Sequence, residues 1–120
     1  MNTTKNHASI TEFFGDAEYP LCLTFALAAE WEKLRERSLN FTFACMVETR
    51  AAQLLDVREV VRLGLIGGGM EPREAHEKVR VYVENRPLVE GMAVALSVME
   101  AFLFGSDEWR EANPARDVAA

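Results

Sequence analysis

The 120-residue chain contains only two cysteines and two histidines, too few for the usual metal sites. Cys22 and Cys45 stand far apart in the sequence and form no closely spaced pair, so we expect reduced, partly buried thiols. His7 and His76 are solitary, and a zinc site needs more ligands than these two residues supply. The sequence therefore predicts no metal and no other cofactor.

The chain also lacks an excess of positive charge, a signal peptide and a catalytic pattern. Its formal net charge of -6 argues against a surface that neutralises phosphates, so we expect no nucleic-acid partner. The N-terminal residues are polar and lack the apolar core of a signal peptide, which predicts a cytoplasmic protein. No Ser, His or Cys stands beside a plausible base in a recognised pattern, so we do not expect an enzyme.

Glycine is sparse, yet three of the seven glycines are consecutive, at Gly67, Gly68 and Gly69. A phosphate-binding loop needs a Lys-Ser or Lys-Thr pair and a preceding strand, and the sequence provides neither. The residues before the glycines have helical periodicity, and Pro72 suits the first position of a following helix. We therefore predict a corner between two helices, with Gly64 at its start and positive φ at the glycines.

Five stretches have the apolar spacing of helices, and an earlier stretch has that of a β-hairpin. The helices are predicted at residues 25–37, 41–55, 56–63, 72–85 and 88–104, with Thr24 and Asp56 as N-caps of the first and third. Tyr19, Leu21 and Leu23 alternate with other residues after a Gly-Asp turn, which predicts the hairpin. The expected fold class is mainly α, a compact bundle of about five helices with a small N-terminal β-hairpin.

The same spacing assigns apolar residues to the core and sets the domain limits. The residues expected to face inward are Leu21, Leu23 and Phe25 near the hairpin, Leu27, Ala28, Trp31 and Leu34 in the first helix, and Phe43, Val47, Ala51 and Leu54 in the second. We predict a single domain at residues 9–105, preceded by a flexible N-terminus at 1–8 and followed by a polar, loose tail at 106–120.

The last predicted helix is apolar nearly all round. Pro87 starts it, Gly105 is placed to cap it, and it is too short for a confident membrane span, so we expect no membrane partner. It has two apolar stripes, and the sequence does not decide which one faces the core. The first stripe is the candidate partner-binding site and comprises Leu88, Met92, Leu96, Met99 and Leu103; the second comprises Val94, Val98 and Phe102.

Several segments of the chain resemble one known family. They are residues 57–70 with the Gly64-Leu65-Ile66-Gly67-Gly68-Gly69 corner, residues 71–75, residues 82–88 with the Arg86-Pro87-Leu88 helix start, and residues 101–105. They resemble the tail protein family of gene transfer agents and related tailed phages, usually described as a tail assembly chaperone and sometimes labelled a tail tube protein. The likeness extends more weakly back to about Ile10 and so covers most of the chain.

This resemblance implies a protein-binding factor in tail morphogenesis, in the cytoplasm of a bacterial host that produces phage-like particles. Such a chaperone would hold the tape-measure protein soluble and help to recruit tail-tube subunits, by packing helices of its partner into a groove. Self-association is also open. Two alternatives remain: a structural tail component that stays in the particle, and a DNA-binding regulator, since two helices at a glycine corner resemble a helix-turn-helix.

Overall fold

The computed structural model describes residues 6–114 of the chain. The fold is mainly helical with an N-terminal two-stranded hairpin, which confirms the predicted fold class. In order, the elements are β1 Ile10–Phe14, β2 Ala17–Leu21, α1 Phe25–Arg35, α2 Leu39–Thr49, α3 Leu54–Gly67, α4 Pro72–Val79 with a π-helical turn Arg80–Glu84, α5 Leu88–Phe104 and α6 Asp107–Ala112.

Helices α3 and α5 pack against each other at the centre of the molecule. Helices α1 and α4 pack on α3, whereas α2 packs mainly on α5. Trp31 of α1 is buried, as predicted, and its Nε1 donates a hydrogen bond to the carbonyl oxygen of Asp56 at 3.2 Å. Because α5 has neighbours on several sides, it forms the middle of the core, and α2 remains at the periphery.

Strands β1 and β2 form the predicted antiparallel hairpin. Phe14 pairs with Ala17 across a two-residue turn whose first residue, Gly15, has a φ of 74°. Glycine with positive φ at that position is typical of a type II′ turn, which matches the twist of a hairpin. Pro20 stands opposite Thr11 at a position whose amide is not needed by the ladder.

The turn of the hairpin is fixed on α4 by a cation. Lys78 Nζ lies 3.1 Å from Asp16 Oδ2 and over the rings of Tyr19 and Tyr82, at 5.2 and 5.8 Å from their centroids. Hydrogen bonds from Tyr19 and Lys78 lower the pKa of Asp16 from its ordinary value. A Cβ on Gly15 would stand 2.4 Å from the Tyr82 ring, so the turn requires glycine for space as well as for φ.

The glycine corner differs from the prediction in where it begins. Helix α3 continues through Gly64 and ends at Gly67, and only Gly69 has positive φ, at 114°. A Cβ on Gly67 would stand 1.7 Å from the carbonyl oxygen of Cys22, and one on Gly68 would stand 2.0 Å from that of Pro20. Glycine is therefore needed here chiefly because the helix end touches the backbone after β2. Pro72 occupies the first turn of α4, as predicted.

The predicted helix at 41–55 is wrong at its C-terminal end. Helix α2 stops at Thr49 because Arg50 adopts a left-handed conformation with a φ of 59°. Helix α3 starts at Leu54 with Gln53 as its N-cap, so Asp56 is the third helical residue of a capping box rather than the cap itself. Thr24 caps α1 as predicted, through a hydrogen bond from the Leu27 amide.

The inward face predicted for the second helix is wrong for Val47, Ala51 and Leu54, whereas Phe43 is half-buried against the core as predicted. Leu39, Thr42 and Met46 are buried, whereas Val47 and Leu54 are exposed. Apolar residues occur nearly all round this helix, so periodicity alone does not fix its orientation. The orientation of α2 is decided by its contact with α5 and by the end of the helix at Thr49.

Both ends of the predicted domain extend further than expected. His7 Nε2 donates a hydrogen bond to the carbonyl oxygen of Phe102 at 3.0 Å, and the amide of Ser106 donates to the carbonyl oxygen of His7 at 2.8 Å. Ala8 is buried. The tail predicted to be loose contains helix α6, capped by Ser106. The parts of these two predictions that concern residues 1–5 and 115–120 lie outside the described residues.

Candidate protein-binding surface

Exposed aromatic and aliphatic side chains lie on α2 and on the helix ends beside it. Phe25 at the start of α1 is 80% exposed, Phe41 of α2 is 68% exposed, and Phe104 at the end of α5 is 55% exposed. Val47 of α2 is exposed as well. We call these four residues the α2 surface. Phe41 and Val47 are exposed because α2 contacts the core through its other side.

A first groove lies between α1, α2 and the C-terminal end of α5. Its volume is about 180 Å³, and its lining includes Phe25, Ala29, Leu39 and Leu103. Next to it, the rings of Phe43 and Phe104 meet edge to face, with centroids 5.9 Å apart. The groove is lined mostly by apolar atoms, which suits the apolar side of a helix or an extended segment.

A second groove of about 500 Å³ runs along the other side of α2. Phe41 and Cys45 line it on the helix, and Ala51 and Ala52 line it on the connection to α3. The polar residues of its lining are Glu36, Arg37, Thr42 and Gln53. Apolar side chains mixed with polar ones are the usual composition of a protein–protein contact.

A third groove of about 330 Å³ separates the start of α3 from the start of α5. Its apolar lining consists of Leu54, Leu55, Val83 and Leu88, and its charged rim includes Arg58, Glu84 and Arg86. The π-helical turn contributes Val83 and Glu84 to this groove.

Arg58 joins the third groove to a buried carboxylate of α3. Its Nη1 donates to Glu84 Oε2 at 2.8 Å and its Nε to Glu59 Oε2 at 3.0 Å, while Arg62 Nη2 donates to Glu59 Oε1 at 2.6 Å. Burial acts to raise the pKa of Glu59, but the two guanidinium groups outweigh it, so this pKa lies below its ordinary value. Glu59 therefore remains ionised and holds Arg58 at the groove.

The five residues predicted to bind a partner do not form one exposed stripe. Met99 is fully buried in the core, so its assignment to a binding site is wrong. Met92 and Leu96 are half-buried against the core, Leu88 lines the third groove and Leu103 lines the first. Only the two ends of the stripe reach open grooves.

The sequence left open which of the two stripes of α5 faces the core. In the structure, residues of both stripes do: Val94 and Val98 of the second stripe and Met99 of the first. Phe102 of the second stripe is only half-buried, and its carbonyl oxygen accepts the hydrogen bond from His7.

Sequence reasoning missed the residues that are most exposed. Five residues predicted to face inward are exposed: Phe25, Leu34, Val47, Ala51 and Leu54. Phe41 was given no role and is exposed as well. A usable signal was present, because α2 is apolar on more sides than one packing face requires.

The stretch Leu88–Ala112 is long and apolar enough, by length and composition alone, to cross a membrane. In the fold it is divided into α5 and α6 at Gly105, whose φ is 91°. The 17 residues of α5 span about 25 Å at 1.5 Å per residue, less than the roughly 30 Å of a bilayer core. One side of α5 packs in the protein core, and we interpret it as a core helix.

Comparison with known proteins gives one match. The family described as "Phage tail tube protein, GTA-gp10" matches residues 7–105, which run from the first packed residues of the N-terminus to the end of α5. No curated protein and no solved structure matches the chain. The matched range includes all three grooves and the α2 surface.

Proposed function

Because the chain belongs to the phage tail tube protein family GTA-gp10, we propose that it is an assembly chaperone for a phage-type tail. Membership of this family makes it a tail-related protein of phages or gene transfer agents. The proposed step beyond membership is that it binds other tail proteins while the tail is built, and leaves before the particle is complete.

The α2 surface is the observation that carries this proposal. Burying a phenylalanine side chain contributes roughly 1.5–3 kcal/mol, and three phenylalanines of this surface are exposed. Exposed apolar clusters of this kind mark sites that another molecule covers. The grooves on either side of α2 offer room for a second chain beside the exposed rings.

The proposed occupant is an apolar helical segment of the tape-measure protein. A long helical protein must keep its apolar side out of water until tail-tube subunits surround it, and an amphipathic helix fits into an apolar groove by its i, i+3 and i+4 residues. Tail-tube subunits are the second proposed partner, recruited to the bound tape measure. We place this activity in the cytoplasm of a bacterial cell that produces phage-like particles.

The proposal assigns binding and no catalysis to the protein. It also assigns no nucleic-acid contact, since the chain has a net charge of -6 and the exposed side of α4, which would be the recognition helix of a helix-turn-helix, mixes Arg73 with Glu74 and Glu77. Phosphate and base contacts there would require an excess of donors.

A second candidate function is that of a structural tail component that stays in the finished particle. The description of the family as a tail tube protein favours this structural role. The same α2 surface would then be part of a permanent contact between subunits.

Substitutions on the α2 surface test the proposal. We expect the double variant Phe41→Ser, Val47→Ser to fold normally, because both side chains are exposed, and to capture at least tenfold less tape-measure protein from a lysate of particle-producing cells. The matched control is Leu34→Ser, an exposed apolar residue of α1 outside this surface. Equal capture by the double variant and the wild type would show that α2 is not the binding site.

A further inference from the structure

The outer edge of β1 is open. Ile10, Glu12 and Phe14 form the hydrogen-bonded pairs with β2, because Phe14 and Ala17 close the two-residue turn. Alternation then directs the N–H and C=O groups of Thr11 and Phe13 away from the hairpin. Within residues 6–114 these two residues have no backbone partner outside the hairpin.

The outer edge of β2, in contrast, is closed over its C-terminal half. Pro20 has no N–H, and its carbonyl oxygen lies against the backbone of Gly68. The next outward amide, that of Cys22, donates to the carbonyl oxygen of Gly64 at 2.9 Å. On β2 only Glu18 keeps open outward groups among the described residues, so β1 has the longer free edge, and an exposed edge is a template for another strand.

A small pocket lies beside the free edge. It has a volume of about 120 Å³ between β1, α5 and the start of α6, and no residue of β2 lines it, so it is on the open side of β1. Glu12 of β1 and Glu100 of α5 line it, and among the described residues neither carboxylate has an ion-pair partner. Arg110 also lines the pocket but pairs with Asp107 at 2.7 Å.

The two faces of β1 differ in character. Glu12 points toward α5 and the acidic pocket, whereas Phe13 lies on the other face and is 62% exposed. A strand added next to β1 would place alternate side chains on these two faces. The side chains on one face of the added strand would meet carboxylates, and those on the other face would meet an aromatic ring.

We propose that the free edge of β1 binds an extended segment of another protein in which basic and apolar residues alternate. The backbone of that segment hydrogen-bonds to Thr11 and Phe13, a lysine or arginine enters the pocket between Glu12 and Glu100, and its apolar residues pack beside Phe13. This contact lies on a different surface from α2 and does not depend on the proposed chaperone function.

A second copy of the chain is disfavoured as occupant by charge. Strands β1 and β2 contain Glu12 and Glu18 and no lysine or arginine. Pairing two copies along β1 would add carboxylates to a pocket that is already acidic, and like charges on adjacent strands are destabilising. Charge therefore favours a segment of a different chain.

The test is an NMR titration of the full-length protein with a synthetic seven-residue peptide in which lysine and valine alternate, blocked at both ends. We expect shifts centred on β1 and slower hydrogen exchange at the Thr11 and Phe13 amides. A peptide with glutamate in place of lysine should bind about tenfold more weakly, because the favourable ion pairs become repulsions. The variant Glu12→Gln, Glu100→Gln should remove most of that preference.

Removal of the edge amide separates strand addition from mere charge attraction. Thr11→Pro deletes one outward N–H while keeping the hairpin ladder, and Pro20 already occupies the equivalent position opposite it. The control Thr11→Val keeps the amide. We expect binding to be lost in the first variant and retained in the second. As a check that needs no variant, a lysine–valine peptide with alternate N-methylated amides should not bind.

Three results would overturn the proposal. One is the absence of any shift at β1, and another is equal affinity for the lysine and glutamate peptides. The third is unchanged binding of the N-methylated peptide, since that peptide retains the charges but cannot extend a sheet.

Discussion

Asp56 connects the end of α1 to the start of α3. Its side chain is buried and accepts hydrogen bonds from Arg35 Nε at 2.7 Å, from Arg37 Nη1 at 3.2 Å and from the amide of Gln53 at 2.9 Å. A buried ion pair of this kind adds little net stability, because both charges lose their hydration. Removing one partner is costly, however, since the remaining charge stays buried without compensation.

Arg35→Met should therefore lower the free energy of unfolding by about 1–3 kcal/mol, because the buried Asp56 carboxylate loses its closest cation and keeps only Arg37 as an ion-pair partner among the described residues. Urea unfolding followed by circular dichroism measures the change. Lys33→Met is the matched control, since Lys33 is an exposed cation of the same helix and has no ion pair among the described residues. Equal midpoints for the two variants would contradict the role given to Asp56.

Glu59 makes stability depend on pH. Its pKa in the folded protein is lowered, so the folded state favours the ionised carboxylate relative to the unfolded chain. The resulting stability is present above the ordinary glutamate pKa of about 4.3 and is lost as the pH falls through the lower, folded value. We expect the wild type to be more stable than Glu59→Gln at pH 7, and the difference to shrink below about pH 4.

Urea titrations of the two proteins between neutral and acidic pH measure that difference. Glu30→Gln, at an exposed carboxylate of α1, should show no comparable change. A gap between wild type and Glu59→Gln that is constant over this range would refute the assignment of the pH dependence to Glu59.

At the scale of elements, the end of α3 lies directly against the backbone of Pro20 and Cys22, at and just after the end of β2. Gly67→Ala would place a methyl group 1.7 Å from the carbonyl oxygen of Cys22, a contact that only a shift of backbone relieves. We expect a loss of at least about 3 kcal/mol of unfolding free energy, or failure to fold.

Gly64→Ala is the comparison for that variant. It lies in the same helix, its nearest new contact is a side-chain carbon of Val98 at 3.3 Å, and alanine favours a helix over glycine by roughly 1 kcal/mol. Thermal or urea unfolding of both should show a much smaller effect for Gly64→Ala. The reverse order would mean that the corner serves helix termination rather than close approach.

Local rules predicted the element ends that depend on local chemistry. Thr24 as the cap of α1, Pro72 at the start of α4 and Gly105 at the end of α5 each follow from one residue and its neighbours. The ends of α1 and α2 could not be predicted in this way. There, Glu36 and Arg50 adopt left-handed conformations that residues with a side chain rarely take, so no sequence signal marks them.

The candidate site was predicted less well than the fold, for a physical reason. An apolar helix was recognised at α5, but periodicity does not reveal which neighbours cover it. In the structure α3 and α2 both pack on α5, which buries Met99, and the open grooves instead lie at the sides of α2 and at the start of α3. Orientation of this kind is a property of the assembled bundle.

At the scale of the whole molecule, the α2 surface and the exposed side of α4 differ in character. The four residues of the α2 surface are apolar, while the exposed residues of α4 are mostly charged, among them Arg73, Glu74 and Glu77. The net charge of -6 on the whole chain favours solubility of the free protein. The α2 surface provides the contact that the proposed function requires.

The central claim is tested most directly by mass spectrometry. The proteins that co-purify with the tagged full-length chain from particle-producing cells are identified, and purified finished particles are measured beside them. The chaperone account predicts tape-measure and tail-tube proteins in the lysate complex, and none of this chain in the finished particles. Stoichiometric amounts of the chain in the particles would contradict it and assign the α2 surface to a permanent subunit contact.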